Sequence, residues 1–170
     1  MNPALLIIDM QNDFFQNGPL ADRKEQLVTN INELIGSARQ SEIPIIWVRQ
    51  EYEADLSDAP LHNIKNKKSI TIKGTKGAKL LDDLHHDESD IEIIKKRFSA
   101  FLDTDLEEIL QEKGIDTLIV TGVNTMTCVR VTVIDAYQRD IPVVLALDSV
   151  DGYDKEQHDN SIKYLQFSAS

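Results

Sequence analysis

The chain has 170 residues, enough for one domain with a sizeable core. Its net charge of −11 and sequence pI of about 4.7 argue against nucleic acid or an anionic membrane as partner. A single cysteine excludes an internal disulfide and a paired-cysteine zinc site, and no apolar run is long enough to span a bilayer.

The first run, Ala4-Leu5-Leu6-Ile7-Ile8, is continuously apolar, as in a strand covered on both faces. It is short and lacks a charged leader, so it does not read as a signal peptide; a reducing, cytoplasmic setting is expected. The run ends at Asp9, followed by Met10-Gln11-Asn12-Asp13-Phe14. A carboxylate there stands where parallel α/β sheets place their sites, though Asp also caps loops. Lys24 to Gln40 has helical periodicity, with Leu27, Ile31, Leu34, Ile35 and Ala38 on one stripe. Ile43 to Val48 reads as a second strand, with Pro44 near its start.

Residues 50–90 are polar and irregular, with a short helix expected over Ala78 to Leu84. Such a long excursion either covers a site or lies on the surface. Ile91 to Ile94 is a third strand, closed by Lys95-Lys96-Arg97. Thr104 and Glu107 have capping-box spacing and open a helix that stops at Gly114. Leu118 to Val120 is a fourth strand, Gly122-Val123-Asn124 a turn, and Thr125 the N-cap of a helix. Pro142 to Leu147 is a fifth strand, and Asp154 to Leu165 a last helix.

Alternating strands and helices over one domain, 1–170, predict a three-layer α/β/α fold with a mainly parallel, Rossmann-like sheet. Asp9, Lys95 and Cys128 each follow a different strand, and in such a sheet those ends share one rim. Cys128 falls in the first turn of its helix, where the dipole favours a thiolate and backbone N–H groups can hold an oxyanion. A buried structural cysteine is the plainer role for this residue. With a lysine beside it to favour the thiolate and an aspartate to carry its proton, the sulfur becomes a nucleophile for a carbonyl carbon. That is the chemistry of amide or ureido C–N hydrolysis.

Four segments carry a resemblance. They are Leu6-Ile7-Ile8-Asp9-Met10-Gln11-Asn12-Asp13-Phe14, Gly74-Thr75-Lys76-Gly77-Ala78, Lys95-Lys96-Arg97-Phe98-Ser99-Ala100-Phe101, and Thr121-Gly122-Val123-Asn124-Thr125-Met126-Thr127-Cys128-Val129. In type and order they resemble the isochorismatase-like cysteine hydrolases, which include nicotinamidase, N-carbamoylsarcosine amidohydrolase and ureidoacrylate amidohydrolase.

The resemblance implies a catalytic triad of Asp9, Lys95 and Cys128, with Lys96 a neighbour lacking a catalytic task. It implies a cis peptide between Val123 and Asn124, and an oxyanion hole from the Asn124 and Cys128 N–H groups. It implies a small amide or ureido substrate, no cofactor, and a homo-oligomer, dimer or tetramer. Gln11, Phe14, Trp47, Glu51, Phe101 and Arg130 are candidate substrate contacts by position, with core packing the commoner fate of the aromatic ones.

Two departures stand out. Nicotinamidases carry a D-x-H metal pair after the second strand, where this chain has Arg49-Gln50-Glu51-Tyr52-Glu53. No metal is therefore expected, and His62, His85 and His86 read as surface residues. Family members also add a sixth strand after the last helix, for which this chain offers too few residues. Vinyl-ether hydrolysis of the isochorismatase type, or binding without catalysis, are the alternatives; the cysteine favours C–N hydrolysis.

Overall fold

A computed structural model of the chain describes the backbone of residues 1–168 and the side chains of 1–166. Five parallel strands form one sheet: β1 (Pro3–Ile8), β2 (Ile45–Gln50), β3 (Ile91–Lys95), β4 (Thr117–Val123) and β5 (Val143–Asp151), in the order β3-β2-β1-β4-β5. The helices are α1 (Pro19–Asp22), α2 (Lys24–Gln40), α3 (Leu61–Asn66), α4 (Leu106–Glu112), α5 (Arg130–Tyr137) and α6 (Lys155–Ser168). Among the described residues the sheet has these five strands, without the sixth that the resemblance implies. Among the described residues no helix is long and apolar enough to cross a membrane.

The unbroken apolar run of β1 follows from its place at the centre of the sheet. Leu5 and Ile7 join one core with Leu27, Val28, Ile31 and Ile35 of α2. Ala4, Leu6 and Ile8 join the opposite core with Leu106 and Leu110 of α4, Val133 and Ala136 of α5, and Leu165 of α6. Alternate side chains thus feed two separate cores, which makes three layers. The chain leaves β1 toward β2 and β3 and then returns to the other side of β1 as β4. The crevice beyond the ends of β1 and β4 is therefore the topological switch point, where α/β sheets bind ligands.

Several boundaries differ from the sequence reading. β2 begins at Ile45, after Pro44, which lacks the N–H that a central strand needs. No helix forms over Ala78 to Leu84. There the backbone pairs with the segment after β1: Asn12 N donates to Lys79 O and Leu81 N to Met10 O. The apolar pair Leu81 and Leu84 is buried from a chain of turns. The capping box is also not made. Thr104 Oγ1 accepts from Leu106 N at 3.3 Å, and α4 starts later, with Asp105 as cap.

β4 continues through Gly122 and Val123, which read as a turn in the sequence. Gly122 has φ +106, and a Cβ there would drive into Ile8 O. Two backbones can pass this closely only at glycine. Gly122→Ala is expected to destabilise the protein by at least about 3 kcal/mol, from an unfavourable φ together with the clash. Urea denaturation of the purified variant measures it; an unchanged midpoint would contradict the close approach.

Candidate active site

Asp9 leaves β1 with a left-handed backbone (φ 53), anchored by its N–H on Val48 O at 2.8 Å. Its carboxylate is buried and turned toward the end of β3. Lys95 Nζ stands 2.9 Å from Asp9 Oδ2, 3.4 Å from Cys128 Sγ and 3.1 Å from Arg97 O. All three side chains are buried, Lys95 completely. Residues 9, 95 and 128 therefore meet at one rim, as their positions after three strands require. Asp9 Oδ2 and the Lys95 ammonium thus form a buried ion pair beside the sulfur.

The sulfur's turn has an unusual winding. Val123–Asn124 is a cis peptide. Asn124, not Thr125, is the cap, its side chain accepting from Met126 N at 3.3 Å. Residues Thr125–Val129 form a π-turn before α5 begins. Thr127 N and Val129 N both donate to Asn124 O, at 3.0 and 3.2 Å, while the Cys128 N–H between them does not. Among the described residues no acceptor takes the Asn124 N–H either. The Cys128 N–H thus takes no part in the two bonds that tie this turn to Asn124 O. π-turns of this kind recur at functional sites.

The electrostatics correct one expectation. The sequence suggested an acidified thiol; the structure instead pushes Cys128 up to about 12, chiefly by burial, then by the Asp9 charge, against the pull of Lys95. Burial and the Asp9 charge thus oppose ionisation of the resting sulfur. Burial alone would lower Lys95, but the Asp9 charge and the Cys128 sulfur outweigh it and hold the ammonium above its ordinary range. Burial chiefly, then the neighbouring Cys128 and Asp9 groups, also raise the phenol of Tyr153, on the turn after β5, to about 12.

The expected substrate contacts fare differently. Gln11 is fully buried with its polar atoms committed: Nε2 donates to Gln50 O and Ala78 O, both at 2.7 Å, and Oε1 accepts from Gln50 N. It fastens β1 to β2 and to residue 78, and has no free donor for a ligand. Phe14 and Trp47 belong to the α2 core, and the Trp47 indole donates to Asp90. Phe101 belongs to the other core, with Arg139 stacked over its ring at 4.7 Å. Arg130 lies 4.2 Å over the Tyr164 ring. Glu51 lines an open cavity of about 520 Å³, with Arg49, Lys79, His86 and Glu92 among its walls. Lys96 pairs with Asp58 at 2.7 Å, away from the sulfur.

The segment between β2 and β3 is sewn to the site. Asp13 accepts from Thr71 N at 2.6 Å, and Asp13 N donates to Gly77 O. A Cβ at Gly77 would meet the Asp13 carboxylate, so a larger residue there would have to push that side chain off Thr71 N. Sequence reasoning passed over Asp13, Tyr153 and His158; their only signal was proximity to motif residues or, for His158, a place near the start of a helix. A metal of the nicotinamidase kind does not fit. Among the described residues no group of three or more His, Cys, Asp or Glu is arranged to hold an ion, and Arg49, at the corresponding place, is tied to Glu92 at 2.7 Å.

The isochorismatase domain family matches residues 3–169. The chain belongs to this family. A probable inactive nicotinamidase of Arabidopsis thaliana is 42% identical over 153 residues, covering 86% of this chain and 78% of that protein. Enterobactin synthase component B of Escherichia coli is 34% identical over 164 residues, covering 95% of this chain but 57% of that longer protein. Among solved structures, an isochorismatase family protein from Desulfovibrio vulgaris superposes with TM-score 0.89 at 31% identity, covering 97% of this chain and 90% of that one. N-carbamoylsarcosine amidase from Thermoplasma acidophilum superposes with TM-score 0.82 at 27% identity, covering 98% and 92%. The chain is thus an isochorismatase-like hydrolase with a parallel α/β fold, and amidases stand among its structural neighbours.

Proposed function

We propose that this isochorismatase-like chain hydrolyses a C–N bond in a small amide, carbamoyl or ureido compound, through a thioester on Cys128. The observation that carries the reading is the buried contact of Asp9, Lys95 and Cys128, with 2.9 and 3.4 Å separating the amine from carboxylate and sulfur. A thiol whose ionisation burial opposes, beside a charged carboxylate, suits proton transfer during attack rather than a standing thiolate.

In the first step Sγ bonds to the carbonyl carbon and its proton passes to Asp9. The Asn124 and Cys128 N–H groups receive the oxyanion. The C–N bond then breaks, and Asp9 returns the proton to the departing nitrogen. Water, deprotonated by Asp9, attacks the thioester; the acid leaves and the thiol is restored. Lys95 stays charged throughout, offsetting whichever of Asp9 and the sulfur is negative. No step needs a cofactor. As part of the same reading the working unit is a homo-oligomer, a dimer or tetramer, in a cytoplasmic setting.

The name of the Arabidopsis relative supplies a second reading, a member that binds without turnover. The filled trio in this chain speaks for catalysis. An ammonia-release screen over small amides, carbamoyl and ureido compounds, followed by intact mass spectrometry under turnover, tests it. The expected result is ammonia from at least one class and an acyl adduct on Cys128. Ammonia release with no adduct, and undiminished by prior alkylation of Cys128, would overturn the thioester route.

A further inference from the structure

His158 has no part in the chemistry above, yet it lies against the cysteine's turn. Its Nδ1 is 3.0 Å from Thr125 Oγ1, and Thr125, fully buried, is the first residue of the π-turn. The approach is made possible by Gly152. A Cβ at Gly152 would sit 2.8 Å from both Asn124 Oδ1 and Thr125 Oγ1, so the bend between β5 and α6 presses directly on the turn. That bend is itself braced. Asp151, at the end of β5, takes a two-pronged ion pair from Arg23 and accepts from Gly152 N at 2.7 Å. Its Oδ1 lies 4.0 Å from His158 Nδ1. The His158 N–H closes the first turn of α6 on Asp154 O at 2.9 Å.

Thr125 lies between the two backbone groups proposed as oxyanion donors: Asn124 precedes it and Cys128 is three residues on. From this juxtaposition we infer that His158 is a positioning residue for the oxyanion turn: its bond to Thr125 holds the Asn124 and Cys128 N–H groups where the tetrahedral oxyanion forms. The inference rests on the hydrolase reading. Its signature is selective. Loss of His158 harms steps that build negative charge on a carbonyl oxygen and spares steps at the same sulfur that do not.

Two reagents separate these. p-Nitrophenyl acetate acylates a thiol through a tetrahedral oxyanion: the Sγ–C bond forms, the C–O bond to p-nitrophenolate breaks, and the thiol proton goes to Asp9. Iodoacetamide alkylates the same sulfur by displacing iodide at a saturated carbon, with no oxyanion. Rates of both at Cys128 are compared, with the Cys128→Ala protein as background, for the purified wild-type chain, His158→Leu and His158→Asn. Asn carries a polar atom at the place of Nδ1. For His158→Leu the acylation rate is expected to fall about tenfold while alkylation stays within about twofold, and His158→Asn is expected to recover most of the loss.

Equal falls in both rates, an unchanged acylation rate, or no recovery with Asn would overturn the inference. Should His158→Leu not fold, Thr125→Val removes the hydroxyl from the other side and is read in the same way. Failure of the wild-type chain to be acylated above the Cys128→Ala level would instead overturn the hydrolase reading, and this inference with it.

Discussion

Cys128→Ala is expected to lower turnover by at least about ten-thousand-fold, the usual scale for loss of a nucleophile. Its thermal midpoint should stay close to that of the parent, because one buried sulfur is removed and no partner is left as an uncompensated charge. Ammonia release and differential scanning fluorimetry measure the two effects; an Ala variant that still turns over would end the thioester mechanism. The thiol's own titration supplies a companion result. Folding moves it from its ordinary value of 9.0 to about 12, chiefly by burial and then by Asp9. The folded chain keeps a proton that the unfolded chain sheds near pH 9. The stability linked to this group is therefore complete below about pH 9 and is lost as pH climbs through about 12. Alkylation by iodoacetamide should keep accelerating past pH 9 without a plateau there.

Lys95→Met has the second large effect, on folding as well as chemistry. Removing one member of a buried ion pair leaves the other charge unpaired in a dry site, which costs about 3–5 kcal/mol. Removing both charges is expected to be far milder. The double variant Asp9→Asn/Lys95→Met should therefore recover most of the stability lost in Lys95→Met, while neither protein hydrolyses substrate. Guanidinium unfolding of the parent, both single variants and the double variant gives the coupling directly. A double variant no more stable than Lys95→Met would mean that the pair does not act as a unit. Retained turnover in Lys95→Met would remove the amine from the proposed chemistry.

Much of this architecture is legible in the sequence, because the signals are strong where the chain is regular. The apolar runs at 4–8, 91–94 and 118–120 mark three strand interiors, and the stripe from Leu27 to Ala38 marks α2 with its true ends. That Asp9, Lys95 and Cys128 share one rim follows from their places at the ends of three parallel strands. What stays hidden depends on contacts distant in sequence. Gly122 looks like a turn residue until Ile8 is seen against it. Residues 78–84 have helix-like composition but are paired with residues 10–12 instead. Gln11 looks like a ligand contact until its amide is seen to be fully occupied. The thiol's titration was misjudged for a related reason: a helix tip is visible locally, whereas burial and the facing carboxylate are not.

The strand order has one more consequence. β2 stands between β3 and β1, so the amine begins two strand spacings, about 9.6 Å, from the strand that carries its carboxylate. Lys95 crosses that gap over the end of β2 as a cantilever, and its length is part of the design. A shorter amine would leave the carboxylate stranded, and a bulkier planar cation would have to displace the sulfur. The gauge of the sheet thus selects lysine here before any requirement of the reaction is considered.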